Sequence, residues 1–333
     1  MGIKGLPAVL EPYCERVHVG EYAPGTRCAV DAYSWLHKGA FGCVDALAPG
    51  GDRAWERRPG ATAPYVKYAV HRANMLRHHG IEPVIVFDGD RAPAKRGEER
   101  ARRERRAALL ERGERARAAG DKEGAFRAFS GAIDVTPEMA RELIVALKRE
   151  KFEFVVAPYE ADATIASLAL TAKERGGVDL VFTEDSDLVA YGCPRVVFKL
   201  EKSGDAKELR LATNKPKSKG PPPLDFTGWD YELFLSLCVL SGCDFLDNIR
   251  GLGIKKMYNI LNKHRCVDAV FAELRANEKI KDLIAEGYEV EWRKARMIFK
   301  HALVWDPHAG ALRHLTPVPE HCEFANDLSF LGP

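Results

Sequence analysis

The chain has 333 residues, of which 46% are hydrophobic and 29% are charged, and this length is enough to bury a sizeable core. It has no apolar run near the length of a membrane span and no signal-peptide pattern at its start, which argues against a membrane protein and a secreted one. The eight cysteines are irregularly spaced without a Cys-x-x-Cys pair, so buried free thiols are favoured over a zinc or redox site.

Apolar segments typical of strands alternate with helical segments through the first 200 residues. In chain order, the sequence predicts a strand at 28–30, a helix at 64–79, a strand at 84–87, a charged helical segment at 98–119, a helix at 137–150, a strand at 154–157, a helix at 161–172 and strands at 180–183 and 196–200. Such alternation predicts an α/β fold with a largely parallel central sheet covered by helices. The later chain is predicted to be mostly helical, beginning with a helix at 233–240.

Positive charge is concentrated between Arg91 and Lys122, where twelve Lys or Arg accompany six Asp or Glu, although the formal net charge of the chain is only +2. This segment has few apolar residues besides Leu109 and Leu110, so it cannot cover a core along its length. One interpretation is a solvated surface helix. The other is a helical hairpin that closes on the apolar residues of 125–133 and forms a basic arch, which would attract a polyanion.

Seven acidic residues follow predicted strands or stand beside helix ends. They are Asp31, Asp88, Glu160, Asp162, Asp185, Asp187 and Asp244. Because the carboxyl ends of parallel strands meet at one edge of a sheet, we expect these acids to lie together. Asp185 and Asp187 share a face if the backbone is extended, and Ser186 then points away. Glu160 and Asp162 can converge only if the segment before the helix is irregular.

A crowded set of carboxylates binds protons at neutral pH unless cations lie between its members. Hard divalent ions suit such a site, so we predict two Mg²⁺ ions, for which Mn²⁺ can substitute. Two such ions can activate water and stabilise the leaving oxygen in phosphodiester hydrolysis. Lys95 and Arg102 fall on roughly one helical face and are predicted to contact the scissile phosphate. Taken singly, each acid is better explained as a helix cap or a solvated loop residue; the metal site is inferred from all seven acids together.

A Gly-x-Gly turn near residue 250 opens into another predicted helix. Glycines let the backbone approach a ligand closely, and a helix amino-terminus favours a phosphate. With the helix at 233–240 before it, this segment predicts a helix–two-turn–helix that binds duplex backbone without reading bases. The residues assigned to DNA binding here are Arg250, Gly251, Gly253, Lys255 and Lys256.

Six short segments, in order, resemble motifs of the flap endonuclease superfamily. They are Met-Gly-Ile-Lys-Gly-Leu at 1–6, Ala-Val-Asp-Ala-Tyr-Ser-Trp-Leu-His-Lys-Gly at 29–39, Val-Phe-Asp-Gly at 86–89, Ala-Pro-Tyr-Glu-Ala-Asp-Ala at 157–163, Thr-Glu-Asp-Ser-Asp-Leu at 183–188 and Leu-Ser-Gly-Cys-Asp-Phe-Leu at 240–246. The resemblance spans roughly residues 1 to 305. The fourth and fifth segments resemble the exonuclease branch more than the flap-endonuclease branch, which typically has Ser-Glu-Ala-Glu-Ala and Glu-Asp-Met-Asp.

This resemblance implies a 5′-nuclease in which the seven acids form the metal site and Lys95 and Arg102 are phosphate-contacting residues of a helical arch. It implies that Gly2 lies near the active site once Met1 is removed. It also implies that His37 stacks near the displaced 5′ nucleotide, and a histidine on a helix surface is the alternative interpretation of His37.

The superfamily also binds K⁺ at its helix–two-turn–helix, and the exonuclease branch uses a serine four residues after the last catalytic aspartate. This chain has Asn248 at that position. An amide oxygen can also coordinate a monovalent ion, so the candidate K⁺ ligands are Ser241, Asn248 and Leu252.

With the resemblance, the chain divides into an N-terminal nuclease region at 1–100, a helical arch at 101–131, an internal nuclease region at 132–200, a flexible Lys- and Pro-rich loop at 201–223, a helix–two-turn–helix DNA-binding region at 224–305 and a C-terminal extension at 306–333. The predicted activity is Mg²⁺-dependent, structure-selective 5′→3′ exonuclease cleavage of double-stranded DNA with 5′-flap endonuclease activity.

The resemblance further predicts a nuclear monomer that acts in DNA repair or recombination on 5′ ends, nicks or flaps, without a membrane partner. The alternatives are a flap endonuclease of replication, a catalytically silent DNA-junction binding protein and a nuclease of structured RNA. The chain has neither a long tail after residue 333 nor a sliding-clamp motif, so mismatch-repair and sliding-clamp partners cannot be inferred from it.

Overall fold

The computed structural model describes residues 2–58, 60–211 and 224–332. Its α-helices are α1 Leu6–Leu10, α2 Ala32–Phe41, α3 Val44–Leu47, α4 Pro64–His78, α5 Arg96–Ala118, α6 Lys122–Gly131, α7 Pro137–Arg149, α8 Ala161–Leu170, α9 Asp187–Ala190, α10 Tyr231–Leu240, α11 Ile254–His264, α12 Val267–Ala276 and α13 Tyr288–His301. Its strands are β1 Glu15–His18, β2 Arg27–Asp31, β3 Glu82–Phe87, β4 Glu153–Val156, β5 Leu180–Phe182, β6 Arg195–Phe198, β7 Asp205–Arg210, β8 Leu303–Asp306 and β9 Ala311–His314.

The first seven strands form one sheet in the order β1-β7-β6-β5-β2-β3-β4. The strands β6, β5, β2, β3 and β4 run parallel to one another, whereas β7 pairs antiparallel with both β6 and β1. The α/β fold with a largely parallel central sheet is therefore confirmed. All five parallel strands present their carboxyl ends at the same edge, which is where ligand sites form in such sheets.

Helices cover both faces of the sheet because successive side chains of a strand point to opposite faces. In β3, Val84 and Val86 pack into a core that includes residues of α1, α8, α10 and α13. The alternate residues Ile85 and Phe87 pack into a second core with residues of α2, α4 and α7. Because both faces of the sheet are buried, the parallel strands have almost continuous apolar sequences.

The charged segment forms a helical hairpin with the following helix, as the second of the two interpretations predicted. Phe129 of α6 lies in a small apolar core with Val44 and Ala48, and Leu110 of α5 packs against that core. A side-chain carbon at Gly113 would come within 2.5 Å of the Phe129 ring, so this glycine allows α5 and α6 to approach closely. The hairpin α5–α6 is therefore anchored to the body of the domain and is called the arch below.

Four strands were not predicted from the sequence. Part of the expected loop at 201–223 is strand β7, whose Glu208 is buried and paired with Arg195 and Arg210; residues 212–223 of that loop lie outside the described residues. Strand β1 completes the antiparallel edge. The hairpin β8–β9 crosses the expected boundary at residue 305. Each helix in the described ranges is too short or too polar to cross a membrane.

Candidate active site

The parallel strands bring acids from four separate segments to one edge of the sheet. Asp31 is the last residue of β2 and caps α2, because its carboxylate accepts hydrogen bonds from the N–H groups of Tyr33 (2.8 Å) and Ser34 (3.2 Å). Asp88 follows β3, and its carboxylate accepts the Ala161 N–H at 2.7 Å, so it is fixed against the start of α8. The sheet thus holds these first two acids from two adjacent strands.

The segment before α8 is irregular, as the convergence of its two acids requires. Glu160 is the N-cap of α8 and has an extended backbone (φ −77°, ψ 143°), whereas Asp162 lies in the first turn of the helix. A regular helix would direct side chains two residues apart about 200° from each other. The change of backbone conformation at Glu160 removes that divergence.

Asp185 and Asp187 lie together for a reason that differs from the sequence prediction. The backbone after β5 is not extended, because Ser186 has αR geometry and Asp187 begins α9. The Asp187 N–H donates to Asp185 Oδ1 at 3.0 Å. Ser186 is 1% exposed and faces inward, where its hydroxyl accepts the Ile3 N–H at 3.0 Å. The prediction that Ser186 points away was wrong.

Gly2 lies directly against this pair of acids. It has φ +87°, and a side-chain carbon there would lie 2.1 Å from Asp185 Oδ1 and 2.8 Å from Asp187 Oδ1. Only glycine combines this backbone conformation with so close an approach. The start of the chain is thus part of the wall of the acidic site.

The ammonium of Lys95 lies between acids from two distant parts of the chain. Its Nζ is 2.7 Å from Glu160 and 2.9 Å from Asp244. Arg102, in α5, also contacts Asp244 at 3.2 Å. Lys95 immediately precedes α5, so the two cations at the base of the arch both face Asp244, the acid that follows α10. The structure therefore brings Asp244 and the basic pair together; the contact of this pair with a scissile phosphate stays a prediction.

The ionisation of the seven acids shows that they act on one another. Burial raises the pKa of Asp31 to about 7, and the Asp88 carboxylate contributes in the same direction. Burial, followed by the charge of Asp185, raises the pKa of both Asp162 and Asp187 well above the usual range. The exception is Asp244: burial acts to raise its pKa, but Lys95 and Arg102 hold the pKa below its usual value. The positively charged side chains near the site are therefore too few to keep all of its carboxylates ionised.

The donor set fits divalent cations. Asp187 is 1% exposed, and its buried Oδ1 finds no hydrogen-bond partner among the described residues. In the described part of the chain, no three acidic, histidine or cysteine side chains are already arranged to hold an ion, and Lys95 supplies positive charge to Glu160 and Asp244. An unpartnered buried carboxylate oxygen is costly, and a hard cation with oxygen ligands removes that cost.

His37 lies in α2 and is half-buried. Its ring packs edge-on against Phe41, with 5.0 Å between the ring centroids, and burial lowers its pKa, so the imidazole is neutral at pH 7. The contact with Phe41 accounts for part of the burial without a ligand. The stacking role of His37 stays a prediction.

The predicted helix–two-turn–helix consists of α10, the turn at 241–253 and α11. In the turn, Gly251 has φ +83°, and Lys256 Nζ donates to the Gly251 carbonyl at 2.9 Å. Gly253 is the N-cap of α11, and a side-chain carbon added to it would meet no atom within 4 Å. Arg250 and Lys255 are exposed beside it. The turn thus presents exposed backbone and positive charge together, as duplex backbone binding requires.

Two contributors to the site were missed from the sequence. Ser186 ties the N-terminal segment to the acids through the Ile3 N–H. Lys4 ties the same segment to the turn after α10, because its N–H donates to the Gly242 carbonyl at 2.9 Å and its Nζ lies 2.8 Å from Asp247 Oδ1. Both contacts join residues more than 180 positions apart, and the only signal for them was the presence of both residues in superfamily-like motifs.

Two family domains match the parts of the chain that contain these acids. The XPG N-terminal domain matches residues 1–109 and the XPG I-region matches residues 151–244, and together these ranges include all seven. The chain belongs to the flap endonuclease superfamily of 5′-nucleases.

Relatives within this superfamily include exonuclease 1 from Arabidopsis thaliana, which is 38% identical over 333 residues, with 100% of this chain and 42% of that protein covered. Exodeoxyribonuclease 1 from Schizosaccharomyces pombe is 35% identical over 335 residues, with 100% of this chain and 54% of that protein covered. The chain therefore spans about half the length of these curated relatives.

Solved structures with the superfamily fold are more distant in sequence. The catalytic core of Rad2 in complex with DNA substrate has a TM-score of 0.58 at 18% identity, covering 90% of this chain and 85% of that one. The Holliday junction-resolving enzyme GEN1 with product DNA and Mg²⁺ has a TM-score of 0.57 at 22% identity, covering 92% and 66%. GEN-1 binding with potassium has a TM-score of 0.54 at 19% identity, also covering 92% and 66%. At these identities they show the shared fold.

Proposed function

We propose that this chain is a structure-selective phosphodiester hydrolase that degrades double-stranded DNA in the 5′→3′ direction and also cleaves 5′ flaps. The observation that carries the proposal is the acidic site, with Lys95 and Arg102 directed at Asp244 from the base of the arch. The identities with exonuclease 1 and exodeoxyribonuclease 1 support the same class of reaction.

The seven acids would hold two Mg²⁺ ions, or Mn²⁺ in their place. When bound, such ions supply the positive charge that activates water and stabilises the leaving oxygen in phosphodiester hydrolysis. The chain's own contribution is to orient individual carboxylates: backbone N–H groups bind Asp31, Asp88 and Asp185. Binding of the ions would draw these separately held groups together.

Lys95 and Arg102 would contact the scissile phosphate. Burial acts to lower the pKa of Lys95, but Glu160 and Asp244 raise it well above the ordinary value, so this ammonium stays charged at every working pH. A cation that neutralises Glu160 and Asp244 would become available to a phosphate if other positive charge neutralised these carboxylates. Contacts that strengthen as charge develops on the phosphate lower the barrier rather than only tightening binding.

The duplex would be held away from the acids by the turn at 241–253 and the start of α11. Arg250, Lys255 and the backbone at Gly251 and Gly253 offer contacts to phosphate without base contacts, which suits an enzyme selective for DNA structure rather than sequence. His37 would lie near the displaced 5′ nucleotide, and Gly2 would lie near the active site. In this proposal, different residues carry out cleavage and duplex binding.

The exonuclease assignment is favoured over a flap endonuclease of replication by the names of two curated relatives that align with the whole chain. A silent junction-binding protein is disfavoured because all seven acids are present, and a nuclease of structured RNA is disfavoured by the duplex-binding element. We also propose that the protein acts as a monomer in nuclear DNA repair, which is consistent with these relatives.

A single assay separates these functions. The protein is incubated with Mg²⁺ and DNA carrying a recessed 5′ end, a nick or a 5′ flap, with both ends of the cleaved strand labelled. We expect a ladder of short products from the recessed end, at a rate at least comparable with flap incision. A single cut at the flap base with an inert recessed end would assign the chain to the flap-endonuclease class instead.

A further inference from the structure

In the turn after α10, side chains of the turn itself donate hydrogen bonds to backbone carbonyl groups. Asn248 Nδ2 donates to the carbonyl of Ile249 at 3.1 Å and to the carbonyl of Leu252 at 3.2 Å. The hydroxyl of Ser241 donates to the Leu237 carbonyl at 2.6 Å and is buried. Of the three residues expected to coordinate K⁺, Leu252 therefore has its carbonyl bound to an amide, and Ser241 has its hydroxyl directed into its own helix.

The amide oxygen of Asn248 faces a cation that belongs to the chain. Lys4 Nζ lies 3.4 Å from Asn248 Oδ1 and 2.8 Å from Asp247 Oδ1. The partners fix which end of the amide is nitrogen. A reversed amide would place its oxygen against two carbonyl oxygens and its NH₂ group against an ammonium, and both contacts would be repulsive.

Gly242 allows these groups to meet. Its φ is +99°, and a side-chain carbon there would lie 2.9 Å from Lys4 Cδ and 3.1 Å from Asn248 Oδ1. The Gly242 carbonyl also accepts the Lys4 N–H at 2.9 Å, which holds the lysine beside the turn. Backbone and side chain of Lys4 thus both bind the turn.

We propose that Asn248 and Lys4 replace the monovalent cation in this turn, so that the turn keeps its shape and binds duplex DNA without K⁺. Carbonyl groups that converge repel each other unless a positive group faces them. Here the two N–H groups of the amide face the carbonyls of Ile249 and Leu252, and the Lys4 ammonium balances the amide oxygen. GEN-1 binding with potassium has the same fold, and a turn that needs no ion would distinguish this chain from it.

This inference rests on the proposed duplex binding, so the test has one arm with DNA and one without. Affinity for a recessed-end duplex is measured by fluorescence anisotropy with EDTA, which prevents cleavage, in K⁺, Na⁺ or N-methylglucamine at equal ionic strength. We expect the wild-type affinities to agree within about twofold, because there is no ion to lose. Thermal unfolding of the protein alone is measured in the same three salts, and we expect equal melting temperatures.

The variant Asn248→Ser removes the two amide donors and offers a hydroxyl oxygen. We expect it to gain K⁺ dependence, with at least about fivefold tighter DNA binding and a higher melting temperature in K⁺ than in N-methylglucamine. Asn248→Ala is the second variant, and it should weaken DNA binding equally in all three salts. A wild-type protein that binds DNA or unfolds differently in K⁺ than in N-methylglucamine would overturn the inference. Loss of DNA binding in every salt would instead contradict the proposed function, while the unfolding arm would still report on the turn.

Discussion

The ammonium of Lys95 lies 2.9 Å from the carboxylate of Asp244, and this ion pair joins the base of the arch to the turn that follows α10. The two residues are far apart in the sequence and come from elements with different proposed roles, one basic and one acidic. Because Lys95 also contacts Glu160 at 2.7 Å, a single cation links the arch, the sheet edge and the helical region.

Replacing Lys95 with alanine should lower the single-turnover cleavage rate by about 100-fold or more while weakening DNA binding by less than about fivefold. The proposed phosphate contact strengthens in the transition state, whereas the duplex is held elsewhere. The control is Arg112→Ala, which removes an exposed positive charge from α5, the helix that directly follows Lys95. Rapid-quench kinetics and equilibrium binding measure the two quantities, and equally small losses in both variants would contradict the assigned role.

Metal-free protein should become less stable as the pH rises from about 4 to 7. Burial raises the pKa of Asp31 to about 7, and it also raises the pKa values of Asp162 and Asp187. The folded protein therefore binds more protons than the unfolded chain in this pH range. Stability contributed by a raised pKa is lost as the group ionises in the folded state. Asp244 has the opposite shift, and its contribution changes only at lower pH.

The measurement is thermal unfolding in EDTA and in Mg²⁺ at pH 5.5 and pH 7.5. We expect Mg²⁺ to raise the melting temperature more at pH 7.5, because the ionised carboxylates both repel each other and bind the ion. In Asp31→Asn, the loss of metal-free stability between the two pH values should be smaller. An equal Mg²⁺ effect at both pH values would show that these acids do not bind the ion.

Replacing Gly2 with alanine should reduce cleavage because the added carbon would meet Asp185 Oδ1 at 2.1 Å. The matched control is Gly25→Ala. Gly25 has a similar φ of +79° but nothing within 4 Å of the added carbon, so it tests backbone strain without the clash. Both variants should lose about 1 kcal/mol or more of folding stability. Only Gly2→Ala should lose activity and need more Mg²⁺, and similar activities for the two would contradict the placement of Gly2.

The sequence predicts the acidic site well because parallel strands deliver Asp31, Asp88 and Asp185 to one edge whatever the details of the loops. The sequence did not predict side-chain orientations or strands that depend on residues far away in the chain. Ser186 faces inward, where the Ile3 N–H binds it, and β7 forms a strand by pairing with β1 near the start of the chain. Such contacts join residues far apart in the chain and leave no periodic pattern.

Asn248 illustrates the same limit. From the sequence, its amide oxygen was a candidate ion ligand, since an amide offers both an acceptor and two donors. The positions of Lys4 and the Leu252 carbonyl decide which end of the amide faces inward. Neither position can be read from the spacing of these residues.

Replacing Lys255 with alanine should weaken binding to unrelated duplex sequences by similar factors and reduce the slope of log affinity against log salt by about one unit. Lys255 is exposed at the start of α11, whereas Lys256 also bonds to the Gly251 carbonyl and would loosen the turn if replaced. Lys279→Ala, at an exposed lysine after α12, is the control. A loss of affinity that depends on base sequence would contradict backbone binding.

The most direct test of the acidic site is the variant Asp187→Asn, because Asp187 is almost fully buried and its Oδ1 lacks a partner within the described residues. The substitution keeps the size of the side chain and removes its charge. Degradation of a duplex with a recessed 5′ end in Mg²⁺ should fall by about 1,000-fold or more, while DNA affinity in EDTA stays within about threefold of wild type. Retention of more than about a tenth of wild-type turnover at saturating Mg²⁺ would contradict the account.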